Sequence, residues 1–91
     1  MMLREQDKDL LRSWGHDDRD FEQIEKVMEK RYTKYSLEGS PITREKAVDV
    51  LGWRAYLSGI ARSAFHATAA RQTTDGKTVL FDSSAFFKEA T

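Results

Sequence analysis

Cysteine is absent from this chain, and its absence excludes several kinds of chemistry at once. Without thiols there is no disulfide, no thiolate nucleophile and no cysteine-ligated zinc site. A small domain without such cross-links must be held together by packing or by association with a second copy. We therefore expect a cytoplasmic protein from a reducing compartment, with a homodimer left open.

Long apolar runs are also missing, because charged residues recur along the chain from Arg4 onward. Neither a signal-peptide core nor a membrane-spanning helix is predicted, so we expect no membrane partner. The chain has 91 residues, of which 40% are hydrophobic. This length and composition suit a single folded domain over residues 1–91.

Motifs that carry catalysis or bind cofactors are lacking as well. The two histidines have no further ligand at the spacing of a zinc site, and no serine lies in a nucleophile elbow. No glycine-rich loop precedes a helix in a way that would cradle phosphate. We expect a protein that is not an enzyme and that needs neither a metal nor a cofactor.

The net charge is zero, since 15 basic residues balance 15 acidic ones. Attraction to nucleic acid therefore has to come from a local surface. Such a surface is indicated between Asp49 and Asp75, where no acidic residue occurs although 33% of the chain is charged. The functional prediction depends on this acid-free stretch.

A pair of helices is predicted in the N-terminal part, residues 1–37. The first lies within 3–14 and carries Leu3, Leu10 and Trp14 on one apolar face, with Leu11 at its edge. The second begins near Asp18, and its apolar residues recur at steps of three and four as far as about Lys34. Residues 32–37 also fit a β-strand, so the end of this helix stays open.

Two further helices are predicted after the single proline. Thr43 is placed to cap the first of them, which ends at Gly52. The second lies within 53–72, either as one helix or as two helices divided at Ser58 and Gly59. Its apolar residues share one side. The opposite side holds Ala55, Ser58, Gly59, Arg62, His66 and Ala69, with Arg54 at its edge.

The C-terminal part is predicted to contain a hairpin and a short helix. Asp75 and Gly76 suit a two-residue type I′ turn, with arms at 71–74 and 77–81. Asp82 and the serines that follow it offer caps for a terminal helix. The predicted fold class is therefore mainly α: a small bundle of four or five helices with a short β-hairpin near the C-terminus.

Residues 42–90 resemble the winged helix-turn-helix regulators of the excisionase and mercury-resistance type. The segment ITREKAVDVLG is similar to the start of these modules, and GKTVLFDSSAFFKEA is similar to their closing strand and helix. The resemblance implies that 42–91 is a helix-turn-helix region whose second helix enters the major groove while the hairpin contacts phosphate. The nucleic-acid-binding residues that it implies are Arg54, Arg62, His66, Arg71 and Lys77.

The preferred functional prediction is a small, non-enzymatic, DNA-binding regulator of helix-turn-helix type, with double-stranded DNA as its partner. The alternative is a protein-binding modulator or inhibitor of phage or mobile-element type, for example an anti-CRISPR-like inhibitor of a host nuclease. A purely structural helical oligomer and a merely solvated basic face also stay open. For the alternative, the partner would be a nucleic-acid-processing host protein, and the binding residues would be Asp17, Asp18, Asp20, Glu22, Glu25 and Glu29.

Overall fold

A computed structural model describes residues 3–30, 34–65 and 68–82 of the chain. Within these ranges the chain forms four helices and one four-stranded antiparallel sheet. The helices are α1 (Glu5–Ser13), α2 (Asp18–Glu29), α3 (Arg44–Leu51) and α4 (Trp53–Ser63). The strands are β1 (Lys34–Leu37), β2 (Ser40–Pro41), β3 (Ala69–Gln72) and β4 (Thr78–Asp82).

The prediction of a mainly α-helical bundle is wrong, because the sheet is a full layer of the fold. Its strand order is β2-β1-β4-β3, so two hairpins are joined through the central strands β1 and β4. Tyr35 of β1 lies opposite Phe81 of β4, which is far away in sequence. The strands have two to five residues each. Strands this short give little periodic signal, and pairing at long range gives none that is local.

The sheet buries one face and exposes the other. Tyr35, Val79 and Phe81 are buried on the side that faces the helices. Leu80, which points the opposite way along β4, is 37% exposed. This alternation follows from the two-residue period of a strand.

Helix α4 lies at the centre of the molecule and contacts α2, α3, β3 and β4. A Cβ atom added to Gly59 would lie 2.5 Å from the Phe81 ring, so only glycine lets the helix approach β4 this closely. The prediction that Gly59 lies on the polar side is therefore wrong. Ala69 was placed there as well, but it is buried in β3. Helix α4 is unbroken at Gly59, and it ends at Ser63.

Aromatic rings fill the space between α4 and the sheet. The Phe81 ring meets the rings of Tyr35 and Tyr56 edge to face, at centroid distances of 5.6 and 5.7 Å. The two tyrosine hydroxyl groups are 3.1 Å apart and form a hydrogen bond inside the core. Burial raises the pKa of both phenols above the ordinary value. Both tyrosines therefore stay neutral and act as core residues.

The predicted starts of the second and third helices are confirmed. Asp17 caps α2, because its carboxylate accepts a hydrogen bond from the backbone N–H of Arg19. Thr43 caps α3 by accepting from the N–H of Lys46. The predicted end of the second helix is wrong, since α2 stops at Glu29.

The predicted C-terminal hairpin exists as β3 and β4, but its turn is not of type I′. That turn needs two residues with positive φ, and in the described part of this loop only Gly76 has one, at 87°. The N–H of Gly76 donates to the carbonyl of Thr73 at 3.1 Å, and the N–H of Thr73 donates to that of Lys77 at 2.8 Å. The loop is therefore a three-residue turn closed by a glycine bulge. The predicted terminal helix lies outside the described residues.

A buried carboxylate attaches α1 to the first turn of α4. Asp7 is only 3% exposed, and it accepts hydrogen bonds from Trp53 Nε1 at 2.8 Å and from Arg4 Nε at 3.1 Å. Burial alone would raise the pKa of Asp7, but the hydrogen bonds from Arg4 and Trp53 together outweigh it and hold that pKa below its ordinary value. Asp7 thus stays ionised and fixes the position of both partners.

Candidate nucleic-acid interface

Helix α4 leaves only one narrow strip of its surface open to solvent. Successive residues of a helix are rotated by about 100°, so Arg54, Ser58 and Arg62 lie one above another. Both arginines are exposed and Ser58 is half-buried, while Phe65, just past the helix, continues the strip and is 44% exposed. The structure therefore places Arg54 and Arg62 on one surface, as predicted.

Arg71 reaches the same strip from the neighbouring strand. Its Nη2 atom donates a hydrogen bond to Ser58 Oγ, and its Nη1 atom donates to the carbonyl of Ala70 at 3.0 Å. Both acceptors are neutral, so they hold the guanidinium in place without cancelling its charge. The position of Arg71 follows from its place in β3, whose alternate residues face α4. We call Arg54, Ser58, Arg62 and Arg71 the arginine surface.

The arginine surface differs from the other arginines in its lack of acidic partners. Across residues 3–30, 34–65 and 68–82, none of its three arginines lies within salt-bridge distance of a carboxylate. Every other arginine in those ranges has such a partner. These pairs are Arg4 with Asp7, Arg12 with Asp9 and Asp18, Arg19 with Asp17, and Arg44 with Glu45.

Of the two remaining predicted basic residues, only Lys77 is described by the structure, and it does not join this surface. Lys77 lies in the loop between β3 and β4, where its N–H donates to Thr73 Oγ1 at 3.2 Å. It lines a separate depression together with the carboxylates of Asp49 and Asp75. His66 lies outside the described residues.

A depression of about 510 Å³ opens beside the first turn of α4, at one end of the arginine surface. Its lining includes both indole rings of the chain, two arginines and no carboxylate. The residues that matter for its chemistry are Trp14, Trp53, Arg54, Ala55, Ser58 and Arg71. This site was missed from the sequence because Trp14 was assigned to a helical apolar face, and only the tertiary structure brings α1 beside α4.

The two tryptophans of the depression differ in how their rings are used. Trp53 donates its indole N–H to Asp7, and its ring contacts the Arg4 guanidinium at 5.6 Å and the Tyr56 ring at 5.6 Å. Trp14 is half-buried at the end of α1. Its indole N–H makes no hydrogen bond, and its ring stacks on no other ring or cation of the described chain. Trp14 packs partly against the core, and the part of its indole that lines the depression, with its N–H, is available to a ligand.

The acidic residues proposed for the alternative function lie along α2, but internal contacts occupy most of them. Several carboxylates bind arginine, lysine or histidine side chains, and others accept from backbone N–H groups. An acidic partner surface is correspondingly weakened. The contacts are Asp17 with Arg19, Asp18 with Arg12, Asp20 with His16, Glu22 with Lys26, and Glu25 with the N–H of Leu3. Glu29 is exposed and also has an interaction partner.

Comparisons with known proteins identify no relative of this chain. The sequence matches no protein-family model, and it has no significant match among curated proteins or solved structures. Among the residues described, no three His, Asp or Glu side chains are grouped as metal ligands would be, and no helix has the length and apolarity to cross a membrane. The arginine surface is therefore the feature from which a function can be inferred.

Proposed function

We propose that this chain is a small DNA-binding regulator that contacts double-stranded DNA through the arginine surface. The observation that carries the proposal is the contrast in pairing. Arg54, Arg62 and Arg71 share one surface without a carboxylate, while the other described arginines are all paired with acids. A positive surface that the protein does not neutralise is suited to an anionic polymer.

The spacing of the strip fits the dimensions of a duplex. Arg54 and Arg62 are eight residues apart in sequence, which corresponds to about 12 Å along a helix axis. The major groove of B-DNA is also about 12 Å wide, so a helix that crosses it brings the two side chains near opposite phosphate backbones. The planar fork of each guanidinium can donate two hydrogen bonds to one phosphate.

The small exposed area of α4 indicates which part of the DNA the helix contacts. Because α4 presents one strip between its neighbours, we expect phosphate contacts to dominate over the reading of base edges. In the winged helix-turn-helix resemblance, α3 and α4 would supply the two helices and the β3–β4 hairpin the wing. That resemblance stays a prediction. A neutral whole-protein charge implies modest affinity that depends on this one surface.

The test is a titration of a labelled duplex of mixed sequence at about 50 and about 200 mM salt, followed by fluorescence anisotropy. Three phosphate contacts predict that the association constant falls about 40-fold between these concentrations, since each contact contributes about −0.9 to the log–log slope. Binding that is absent at the lower concentration, or that does not change with salt, would contradict the proposal.

The alternative, a protein-binding modulator or inhibitor of a host nuclease, has less support. It depended on an acidic surface along α2, and most of those carboxylates have basic or backbone partners within the chain. Purification of the tagged chain from nuclease-treated lysate distinguishes the two proposals. Recovery of one nuclease in stoichiometric amount, with no DNA binding by the free chain, would favour the alternative.

A further inference from the structure

We propose that the depression beside the first turn of α4 binds one unpaired nucleotide, with its base against Trp14 and its phosphate between Arg54 and Arg71. This inference rests on the proposed function, and it narrows the ligand to DNA that has a single-stranded part next to a duplex. It predicts that DNA with an unpaired tail binds more tightly than a blunt duplex, a preference that the arginine surface alone would not produce.

The phosphate position is indicated by two guanidinium groups that line the depression. Arg71 is fixed by hydrogen bonds to Ser58 Oγ and to the carbonyl of Ala70, so little side-chain freedom is lost when an anion binds. Arg54 lines the same depression and has no ion-pair partner in the described ranges. No carboxylate lines the depression to compete with a phosphate.

The base position is indicated by Trp14, which lines the same depression. Its ring is free of other ring or cation contacts among the described residues, whereas the ring of Trp53 lies between Arg4 and Tyr56. Bases of single-stranded nucleic acid stack on such rings with little regard to sequence, because every base has a π face. The free indole N–H of Trp14 can also donate to an acceptor on the base or the sugar.

Size and charge distinguish this depression from two others on the described surface. It measures about 510 Å³, within the range of about 300 to 1,000 Å³ that is typical of small-molecule sites. Depressions of about 310 and 340 Å³ elsewhere are each lined by two carboxylates as well as two basic side chains. Those two are less suited to a phosphate, so among these three depressions the one at Trp14 fits a nucleotide best.

The experiment compares a blunt duplex with the same duplex carrying a short unpaired thymidine tail, by anisotropy at one salt concentration. We expect the tailed probe to bind the intact protein about tenfold more tightly, as expected for one stacked base. Trp14→Ala should bind the tailed probe no more tightly than the blunt one. Trp14→Phe, which keeps a ring, should retain most of the preference for the tailed probe. Ala55→Leu, which fills the depression with a good helix former, should also abolish it.

The outcomes separate this inference from the proposed function. Equal affinity of the intact protein for both probes overturns the nucleotide site and leaves duplex binding intact. A tail preference that survives both Trp14→Ala and Ala55→Leu also overturns it. If neither probe binds, the proposed function itself fails, and this inference fails with it.

Discussion

The two N-terminal helices and the α4–β3 region use arginine in opposite ways. Arg4, Arg12 and Arg19 each lie within 3.1 Å of a carboxylate in α1, in α2 or in the cap between them. Arg54, Arg62 and Arg71 have no such partner anywhere in the described chain. The net charge of the chain is zero, but the charge is unevenly paired. The arginines of the N-terminal helices are neutralised by nearby carboxylates, whereas the α4–β3 region stays locally positive.

This difference separates residues that hold the fold from residues that are free to act. A charge with a partner inside the protein contributes to stability when it is buried, and little when it is exposed. An exposed charge without a partner does not stabilise the fold, so its removal should change binding and leave folding intact. The predictions that follow test this separation, and they run from the largest expected free-energy change to the smallest.

Asp7→Ala is expected to produce the largest effect, a loss of about 3 kcal/mol in the free energy of unfolding. The substitution leaves the indole N–H of Trp53 and the guanidinium of Arg4 without their acceptor, in a region where that acceptor is buried. Urea denaturation followed by circular dichroism measures the change. Asp9→Ala in the same helix is the matched control, because Asp9 forms only an exposed pair with Arg12. Equal losses in the two variants would refute the role given to Asp7.

The same carboxylate predicts how stability depends on pH. The pKa of Asp7 is lower in the folded protein than in the unfolded chain, where it is about 3.9. Its contribution is therefore fully present above that value and is lost as the pH falls through the lower, folded pKa. Between about pH 5 and pH 2 the free energy of unfolding should fall more in the intact protein than in Asp7→Asn. Asp17 and Asp75, whose pKa values are also lowered, contribute equally to both proteins. Parallel pH profiles of the two proteins would argue against this linkage.

Gly59→Ala should destabilise the fold by about 2 kcal/mol, although alanine is the better helix former. The new Cβ atom would lie 2.5 Å from the Phe81 ring, which has to move away from its tyrosine partners. The double variant with Phe81→Leu provides the control. If the clash is with this ring, the cost of Gly59→Ala should be smaller when Phe81 is already replaced. If Gly59→Ala lowers the free energy of unfolding equally in both backgrounds, the strain does not come from contact with the Phe81 ring.

The features that could be predicted from the sequence are those set by neighbours in the chain. Asp17 and Thr43 satisfy backbone N–H groups only two or three residues away, so the starts of α2 and α3 are local properties. The sheet could not be found in the same way. Tyr35 fits the helical period of the preceding residues, and it becomes a strand residue because it pairs with Phe81. That partner comes 46 positions later in the chain.

The candidate site was predictable only in part, for the same reason. The acid-free stretch identified Arg54 and Arg62, which lie on one helix. The placement of Arg71 depends on β3 and on the hydroxyl of Ser58, which no helical continuation predicts. Trp14 belongs to the site because α1 lies beside Trp53, a placement that the hydrogen bond from Trp53 to Asp7 helps to fix.

Replacing Arg54 and Arg62 together by glutamine should weaken duplex binding at least about tenfold, equivalent to about 1.4 kcal/mol. The log–log salt slope should become shallower by about 1.8, because two phosphate contacts are lost. The free energy of unfolding should not change. The matched control is Arg19→Gln with Lys26→Gln, which removes the same charge from exposed pairs on α2. Equal losses of affinity in both double variants would mean that overall charge, and not the arginine surface, determines binding.

Ser58→Glu is the most direct test of the contrast, because it places a carboxylate among the unpaired arginines. A glutamate at this position lies one turn from both Arg54 and Arg62, and it keeps an acceptor beside Arg71. We expect a gain of about 0.3 to 0.5 kcal/mol in the free energy of unfolding. Affinity for the duplex should fall as strongly as in the double glutamine variant, because the new carboxylate forms ion pairs with the guanidinium groups and competes with phosphate.

Ser58→Gln is the control, because glutamine has nearly the same shape as glutamate but carries no charge. It separates the effect of the new charge from the loss of the serine hydroxyl group. It should leave most of the affinity in place. If Ser58→Glu binds DNA as tightly as the intact protein, then Arg54, Arg62 and Arg71 are not the groups that face the phosphates. The arginine surface would in that case be a solvated face without a ligand.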